Sequence, residues 1–307
     1  MISADEQAQA IATLRTVRDA LRWGESALRR GKVFLGHGTN EYGDEAVCLL
    51  LDTLGMPWDA ADQRLLDARL LPMEMERYVG LMVRRVNERI PAPYLTGRAW
   101  FAGLEFSVDE RVLIPRSPIA ELIEQGFEPW LSAERVQRVL DLCTGGGCIA
   151  VALAYAFPDA QVDATDISDD ALAVARQNIS EHGLEERVHP RQGDGLAAAQ
   201  GRYDLLVSNP PYVDAADMAA LPDEYRHEPA LALASGHDGL DFTRALLRDA
   251  ADYLTDDGLL IVEVGNSWEA VVQQWPEVPF FWFEFERGGH GVFMLDRAQL
   301  VQWQHQF

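Results

Sequence analysis

The sequence is short of cysteine, of positive charge and of long apolar runs. Its three cysteines, Cys48, Cys143 and Cys148, cannot all pair within the chain, and the last two flank a glycine cluster instead of forming C-x-x-C pairs. No disulfide framework or zinc spacing follows, which favours a reducing compartment. The seven histidines are scattered without metal-ligand spacing, so no metal is expected. No apolar run approaches the ~18–20 residues that span a bilayer, and the opening MISADEQAQAIATL lacks a basic stretch leading into an apolar one. The expectation is a soluble, cytoplasmic chain with no membrane partner. Basic residues are scarcer still: 26 Lys+Arg stand against 49 Asp+Glu, a net charge of −23. Residues 1–90 hold only −2 of it and residues 91–307 hold −21. Such a field repels phosphate backbones and anionic headgroups, argues against DNA as a partner, and favours a basic one.

What is present reads as globular. The 307 residues suggest about two domains, and 48% hydrophobic with 24% charged residues argues against long disorder. Residues 1–90 read as a small helical bundle. Ile11, Leu14, Val17 and Leu21 recur at helical steps in a segment ending near Gly24 and Gly31, Ala46–Leu54 forms a second stretch, and Leu65, Leu66 and Leu70 suggest a third. Pro72 sits where a first-turn proline belongs, ahead of Met75, Val79 and Met82. Pro91 and Pro93 predict a linker, and Ala99–Phe101 with Glu105–Val108 predicts a hairpin. Residues 91–117 are therefore expected to join residues 1–90 to a second domain, 118–307, opened by a helix over Pro118–Trp130.

From Arg138 strands and helices alternate. Val139–Leu142, Gln161–Thr165, Arg187–Gln192, Tyr203–Ser208 and Leu259–Val264 read as strands, with helices over Cys148–Phe157, from Ser168 towards Gly183, and over Asp241–Leu254. Phe280–Phe285 and Gly291–Leu295 suit a terminal antiparallel pair. This is the pattern of an α/β doubly wound, Rossmann-like sheet, with ligands at the carboxyl ends of its strands.

Four strand ends carry chemistry. Asp141-Leu142-Cys143-Thr144-Gly145-Gly146-Gly147-Cys148 is a turn whose glycines let the backbone approach a ligand. Asp166 lies 21 positions beyond Gly145 and can accept both hydroxyls of a ribose. Asp194 ends the third strand, where it could accept from an adenine amino group or order a turn. The decisive stretch is Ser208-Asn209-Pro210-Pro211-Tyr212. Consecutive prolines hold the chain extended, leaving the Asn209 side-chain oxygen and the Pro210 carbonyl as acceptors for one NH₂ group, with Tyr212 as a flat face beside it.

The set DLCTGGG, TDIS, QGDG and SNPPYV resembles the class I S-adenosylmethionine methyltransferases that methylate planar amino groups. Within them it resembles the HemK-type protein-(glutamine-N5) methyltransferases, which carry an N-terminal helical domain and a β-hairpin before the catalytic domain. The stretch Tyr94–Ile123, with DLCTGGGCIA, is similar to the branch acting on large-subunit ribosomal protein L-three. The release-factor branch reads PRPDTE and DLGTGTG where this chain has Pro115-Arg116-Ser117-Pro118-Ile119 and Cys143. HEPALAL (227–233) and Val262-Glu263-Val264-Gly265 also match.

The resemblance implies S-adenosyl-L-methionine as cofactor, S-adenosyl-L-homocysteine as product, and residues 1–90 as a substrate-recognition domain. Asp141, Thr144, Gly145, Gly146 and Gly147 would surround the methionine part. Asp166 and Ile167 would hold the nucleoside, with Asp194 near adenine and Asn209 close by. Asn209, Pro210, Pro211 and Tyr212 would bind the substrate amide, Asn209, Pro210 and Tyr212 as the catalytic set, and Arg116 would position cofactor or substrate. Gly146 stands where serine or threonine is commoner, implying one lost cofactor hydrogen bond. The expected reaction is methyl transfer to a glutamine amide of that basic ribosomal protein. A release-factor glutamine methyltransferase is the first alternative. A DNA adenine-N6 methyltransferase shares the Asn-Pro-Pro-Tyr logic but is opposed by the charge. The glycine turn alone would suit a nicotinamide oxidoreductase. Trp268, Trp275 and the 280–285 aromatics could form an interaction face, although burial explains their spacing better.

Overall fold

The computed structural model describes residues 1–57 and 63–307, which form two compact units: Met1–Arg98 with Pro222–His227, and Ala99–Leu221 with Glu228–Phe307. The division falls at residue 98, between the expected boundaries at 90 and 117, and a short later segment joins the helical unit.

In that unit the first amphipathic stretch is two helices, not one. Helix α1 (Ala4–Thr13) stops before Thr16, whose side chain accepts from the Asp19 amide while Asp19 accepts from the Thr16 amide, so α2 (Val17–Gly31) starts afresh. Such a reciprocal cap satisfies two orphan donors and outcompetes continuation of one long helix. Helix α3 spans Tyr42–Thr53, and α4 (Pro72–Val83) begins with its proline in the first turn and runs on into a π-helical turn, Arg84–Glu88. The expected helix at Leu65–Leu70 is a single 3₁₀ turn, Gln63–Leu65. Beyond it the carbonyls of Leu66 and Ala68 accept from Arg18 and Val17, and the Leu70 amide donates to Arg15, so extended pairing takes the backbone groups a helix would use. The Pro91–Pro93 linker is instead a short helix, α5 (Ala92–Thr96), because proline is tolerated in a first turn. Trp23, Leu28, Leu49, Tyr78 and Met82 form the core. Arg85, fully buried, donates to Glu45, Glu224 and the Phe34 carbonyl, holding residues 222–227 within this unit.

The second unit carries the hairpin β1 (Arg98–Phe101) and β2 (Leu104–Ser107), then α6 (Ile119–Glu124). Helix α6 is shorter than expected because Gly126 and Phe127 both take left-handed backbone conformations that end it. Then follow β3 (Arg138–Leu142), α7 (Cys148–Ala156), β4 (Gln161–Asp166), α8 (Asp169–Glu181), β5 (Val188–Gln192) and β6 (Tyr203–Ser208). After α9 (Ala215–Ala220) come α10 (Asp241–Asp249), β7 (Leu254–Glu263), α11 (Trp268–Gln274), β8 (Phe281–Trp282), β9 (Val292–Asp296) and α12 (Arg297–Trp303). The helix expected to reach Leu254 tightens to 3₁₀ at Ala250–Tyr253, and β7 starts there.

The seven-stranded sheet has the order β5-β4-β3-β6-β7-β9-β8, with β9 alone reversed, antiparallel to both β7 and β8. The order reverses between β3 and β6, the switch point at which such sheets bind ligands. Register aligns the strand ends: Leu142 pairs with Thr165 and Ser208, and Asp166 with Gln192. The loops carrying the motifs therefore open side by side. Apolar clusters cover both sheet faces, one containing Ile149, Leu153 and Val162, the other Leu206, Leu246 and Ile261's neighbours Leu260 and Val262. The aromatic stretch belongs largely to this packing. Trp275 and Phe283 are buried, while Trp268 and Phe281 stay exposed. Among the described residues no helix is long and apolar enough to cross a membrane.

Candidate active site

At the carboxyl ends of β3, β4, β5 and β6 lies a cleft of about 890 Å³, counting its open mouth. Of the residues singled out from sequence, Gly145, Asp166, Ile167, Asp194, Asn209 and Pro211 line it.

Asp166 holds the turn after β3 to the turn after β4. Its Oδ2 accepts from the Gly145 amide and its Oδ1 from the Ser168 amide, each at 2.9 Å. Burial pushes its carboxyl above the usual aspartate value against those bonds. Each oxygen keeps a lone pair for a ribose hydroxyl. Ser168 also caps α8 by accepting from the Ala171 amide. The Asp194 side chain has no partner among the described residues and is free to accept from an adenine amino group.

Asp141 does not reach the cleft. It is fully buried at the end of β3, where Oδ2 accepts from the Thr144 hydroxyl (2.5 Å) and the Ala150 amide (3.0 Å). Burial pushes its carboxyl up to about 7. Asp141 and Thr144 thus shape the glycine turn from behind. Gly145 takes φ +54° with open space where a Cβ would stand, so its backbone is the part a ligand meets. Gly147, at φ +80°, lets α7 pack on α8, a Cβ there standing 3.2 Å from Ala175. Gly146 points elsewhere: a Cβ would meet Val112 and Asn178 at 3.5 and 3.7 Å, and its carbonyl accepts from Asn178. The lost hydrogen bond expected at Gly146 has no counterpart in the cleft. Gly146→Ala is expected to leave S-adenosylmethionine affinity within about twofold, whereas Gly145→Ala costs about 1–2 kcal/mol of backbone strain. Titration calorimetry on both variants checks this; a larger loss at Gly146 would reverse the assignment.

The segment after β6 sets the opposite wall. Among the described residues neither the Asn209 side chain nor the Pro210 carbonyl has a hydrogen-bond partner, so neither oxygen is already engaged. Pro210 is buried and lies outside the residues lining the cleft. Tyr212 is held at both ends, its hydroxyl donating to Glu263 (2.8 Å) and its carbonyl accepting from Ser267 (2.7 Å). Its ring packs on Gly265, where a Cβ would come within 2.6 Å. Arg116 stays out of the cleft as well. Its guanidinium forks onto Glu228 at 2.6 and 2.8 Å, and Glu228 also accepts from the Ile114 amide. This bidentate pair sets the start of the 229–232 wall.

Sequence reasoning missed Arg111, Val112, Cys143, Leu231 and Phe242, all of which line the cleft. Leu231 lay in a stretch noted for its resemblance without a role. Phe242 carried no signal, being an ordinary apolar position on α10. Cys143 adopts φ +61°, a conformation that favours glycine.

The site fits S-adenosylmethionine: a half-buried, ribose-ready carboxylate (Asp166), a glycine backbone with open space before it (Gly145) and a carboxylate without a partner among the described residues (Asp194) line one cleft. Among the described residues no three His, Cys, Asp or Glu side chains come together as a metal site. Residues 127–223 match the methyltransferase small domain family. The chain is 49% identical over 294 residues to the ribosomal protein uL3 glutamine methyltransferase of Neisseria gonorrhoeae, covering 95% of this chain and 98% of that one. It is likewise 49% identical to the enzyme of that description from Bordetella pertussis, covering 94% and 97%. The catalytic domain of hMettl16, solved with a MAT2A 3′UTR hairpin, shares the fold at TM-score 0.51 and 17% identity, over 73% of this chain and 80% of that one. Sheet order, cleft and near-full-length identity agree: the chain belongs to the S-adenosylmethionine-dependent methyltransferase family of the ribosomal protein uL3 glutamine methyltransferases.

Proposed function

We propose that this chain methylates the side-chain amide nitrogen of a glutamine in ribosomal protein uL3, the protein called L-three above. The observation that carries the reading is 49% identity along almost the whole length of two enzymes bearing that name. That identity favours uL3 over a release factor. S-adenosylmethionine supplies a methyl group on a sulfonium, an electrophile that needs no further activation.

The protein's task is to improve the nucleophile. An amide nitrogen is weak because its lone pair is delocalised into the carbonyl. The Asn209 side-chain oxygen and the Pro210 carbonyl accept its two N–H bonds and hold it towards the methyl group. As the nitrogen gains positive charge its N–H bonds become better donors, so both contacts strengthen on the way to the transition state, and the methylated nitrogen then gives up one of those protons to water. Positioning contributes up to ~7–11 kcal/mol in favourable systems. Pro211 and Tyr212 give the planar amide a surface, and Arg116 acts through Glu228 on the facing wall. Gly145, Asp166, Ile167 and Asp194 hold the cofactor, with Asp141, Thr144 and Gly147 shaping the turn.

The helical unit recognises the substrate protein, and the −21 on residues 91–307 attracts a basic one. A newly made ribosomal protein places the reaction in the cytoplasm. Purified uL3, a release factor and duplex DNA, each offered with labelled S-adenosylmethionine, test the reading. Label on a uL3 glutamine, with kcat/KM falling as ionic strength rises, supports it. Label on the release factor alone, or a rate indifferent to salt, would refute the substrate or the steering respectively.

A further inference from the structure

Glu263, at the carboxyl end of β7, is a buried carboxylate beside the Asn209–Tyr212 segment that the chemistry above does not use. It is 4% exposed. Its Oε1 accepts from the Tyr212 hydroxyl at 2.8 Å and its Oε2 from the Ser117 hydroxyl at 2.5 Å. Ser117 Oγ in turn accepts from the Ile119 amide at the start of α6. The cation that faces Glu263, Arg116, already has both terminal nitrogens on Glu228. A carboxylate buried in this way costs stability that a well-packed apolar side chain would not. What it supplies is direction. An ionised carboxylate only accepts, so both hydroxyls must point their protons inward and neither can rotate freely.

The chain around it converts that direction into active-site geometry. Tyr212 follows Asn209-Pro210-Pro211, where the prolines restrict the backbone, so holding the Tyr212 side chain limits the freedom of the residues before it. Ser267 fastens its carbonyl, Gly265 meets its ring face, and Glu263 accepts from its hydroxyl. Ser117 adjoins Arg116, so two consecutive residues brace both walls of the cleft: Arg116 through Glu228, Ser117 through Glu263 and Tyr212.

We propose that Glu263 is a positioning residue for methyl transfer, acting through Tyr212 to hold the Asn209–Pro210 acceptor pair in its working arrangement. The proposal rests on the glutamine-methylation reading. Its test is a double-mutant cycle on the full chain with uL3 as substrate, reading kcat, KM and calorimetric affinity for S-adenosylmethionine. Glu263→Leu is expected to lower kcat by about 10- to 100-fold with cofactor affinity within about threefold, and Glu263→Gln, which keeps one acceptor, to recover most of it. In a Tyr212→Phe background Glu263→Leu should cost less than about threefold more, because the group it acts through is gone. If Glu263→Leu does not fold, the Glu263→Gln and Tyr212→Phe cycle is read for the same coupling. Additive effects, an unchanged kcat, or a loss confined to cofactor affinity would overturn the role. A wild-type chain that leaves uL3 unmethylated would instead overturn the reading beneath it.

Discussion

Asn209→Ala is expected to lower kcat for methyl transfer by about 10²–10³-fold, the usual loss when one preorganised polar contact to developing charge is removed. Affinity for S-adenosylmethionine should stay within about threefold. The separation follows from geometry. Asn209 lines the cleft, yet its side chain has no partner within the described protein, so removing it breaks nothing that holds β6 or the turn. The loss therefore falls on a contact that strengthens as nitrogen becomes positive, and it appears in kcat. Single-turnover methylation with saturating cofactor, beside calorimetric titration, reads the two effects apart. A variant with near-normal turnover would remove Asn209 from the chemistry; one that loses both turnover and binding would make it a cofactor contact only.

Asp166→Ala produces the largest expected loss in binding. It removes the acceptors for the Gly145 and Ser168 amides as well as those for the ribose. At about 1.5–3 kcal/mol for each of the two ribose hydrogen bonds to a charged group, the dissociation constant should rise by about 10²–10⁴-fold. The pH dependence carries a sign that checks the cause. Burial holds the Asp166 carboxyl above its ordinary value, so ionising it costs the free protein stability as pH rises through the folded value. Cofactor affinity runs the other way, because the ionised form accepts the ribose hydroxyls more strongly. Affinity should weaken on acidification at a pH above that of an ordinary aspartate, and Asp166→Asn should flatten the profile. Binding that is insensitive to pH in the wild type would contradict this role.

Much of this fold and site is legible in the sequence. The alternation from Arg138 onward gave the parallel sheet because buried inner strands read as short apolar runs between turn signals. The four motif loops met as expected because a parallel sheet brings its carboxyl ends to one edge. The misplaced features share a cause. A split between α1 and α2 depends on one reciprocal cap at Thr16, and the Leu65–Leu70 stretch takes its backbone partners from residues 15–18, neither of which apolar spacing reports. Arg116 and Asp141 lie outside the residues lining the cleft, bonded to Glu228 and to Thr144, since spacing does not say which way a side chain points. Phe242 and Leu231 line the cleft from distant elements, so nothing local marked them.

The proposed chemistry requires two fixed oxygens that receive the substrate's NH₂ beside the cofactor. The direct measurement is a structure of the full chain with S-adenosylhomocysteine and a glutamine peptide from uL3. The amide nitrogen should lie within about 3.2 Å of both the Asn209 side-chain oxygen and the Pro210 carbonyl, facing the cofactor sulfur. A glutamine bound with its nitrogen away from either oxygen would contradict the mechanism.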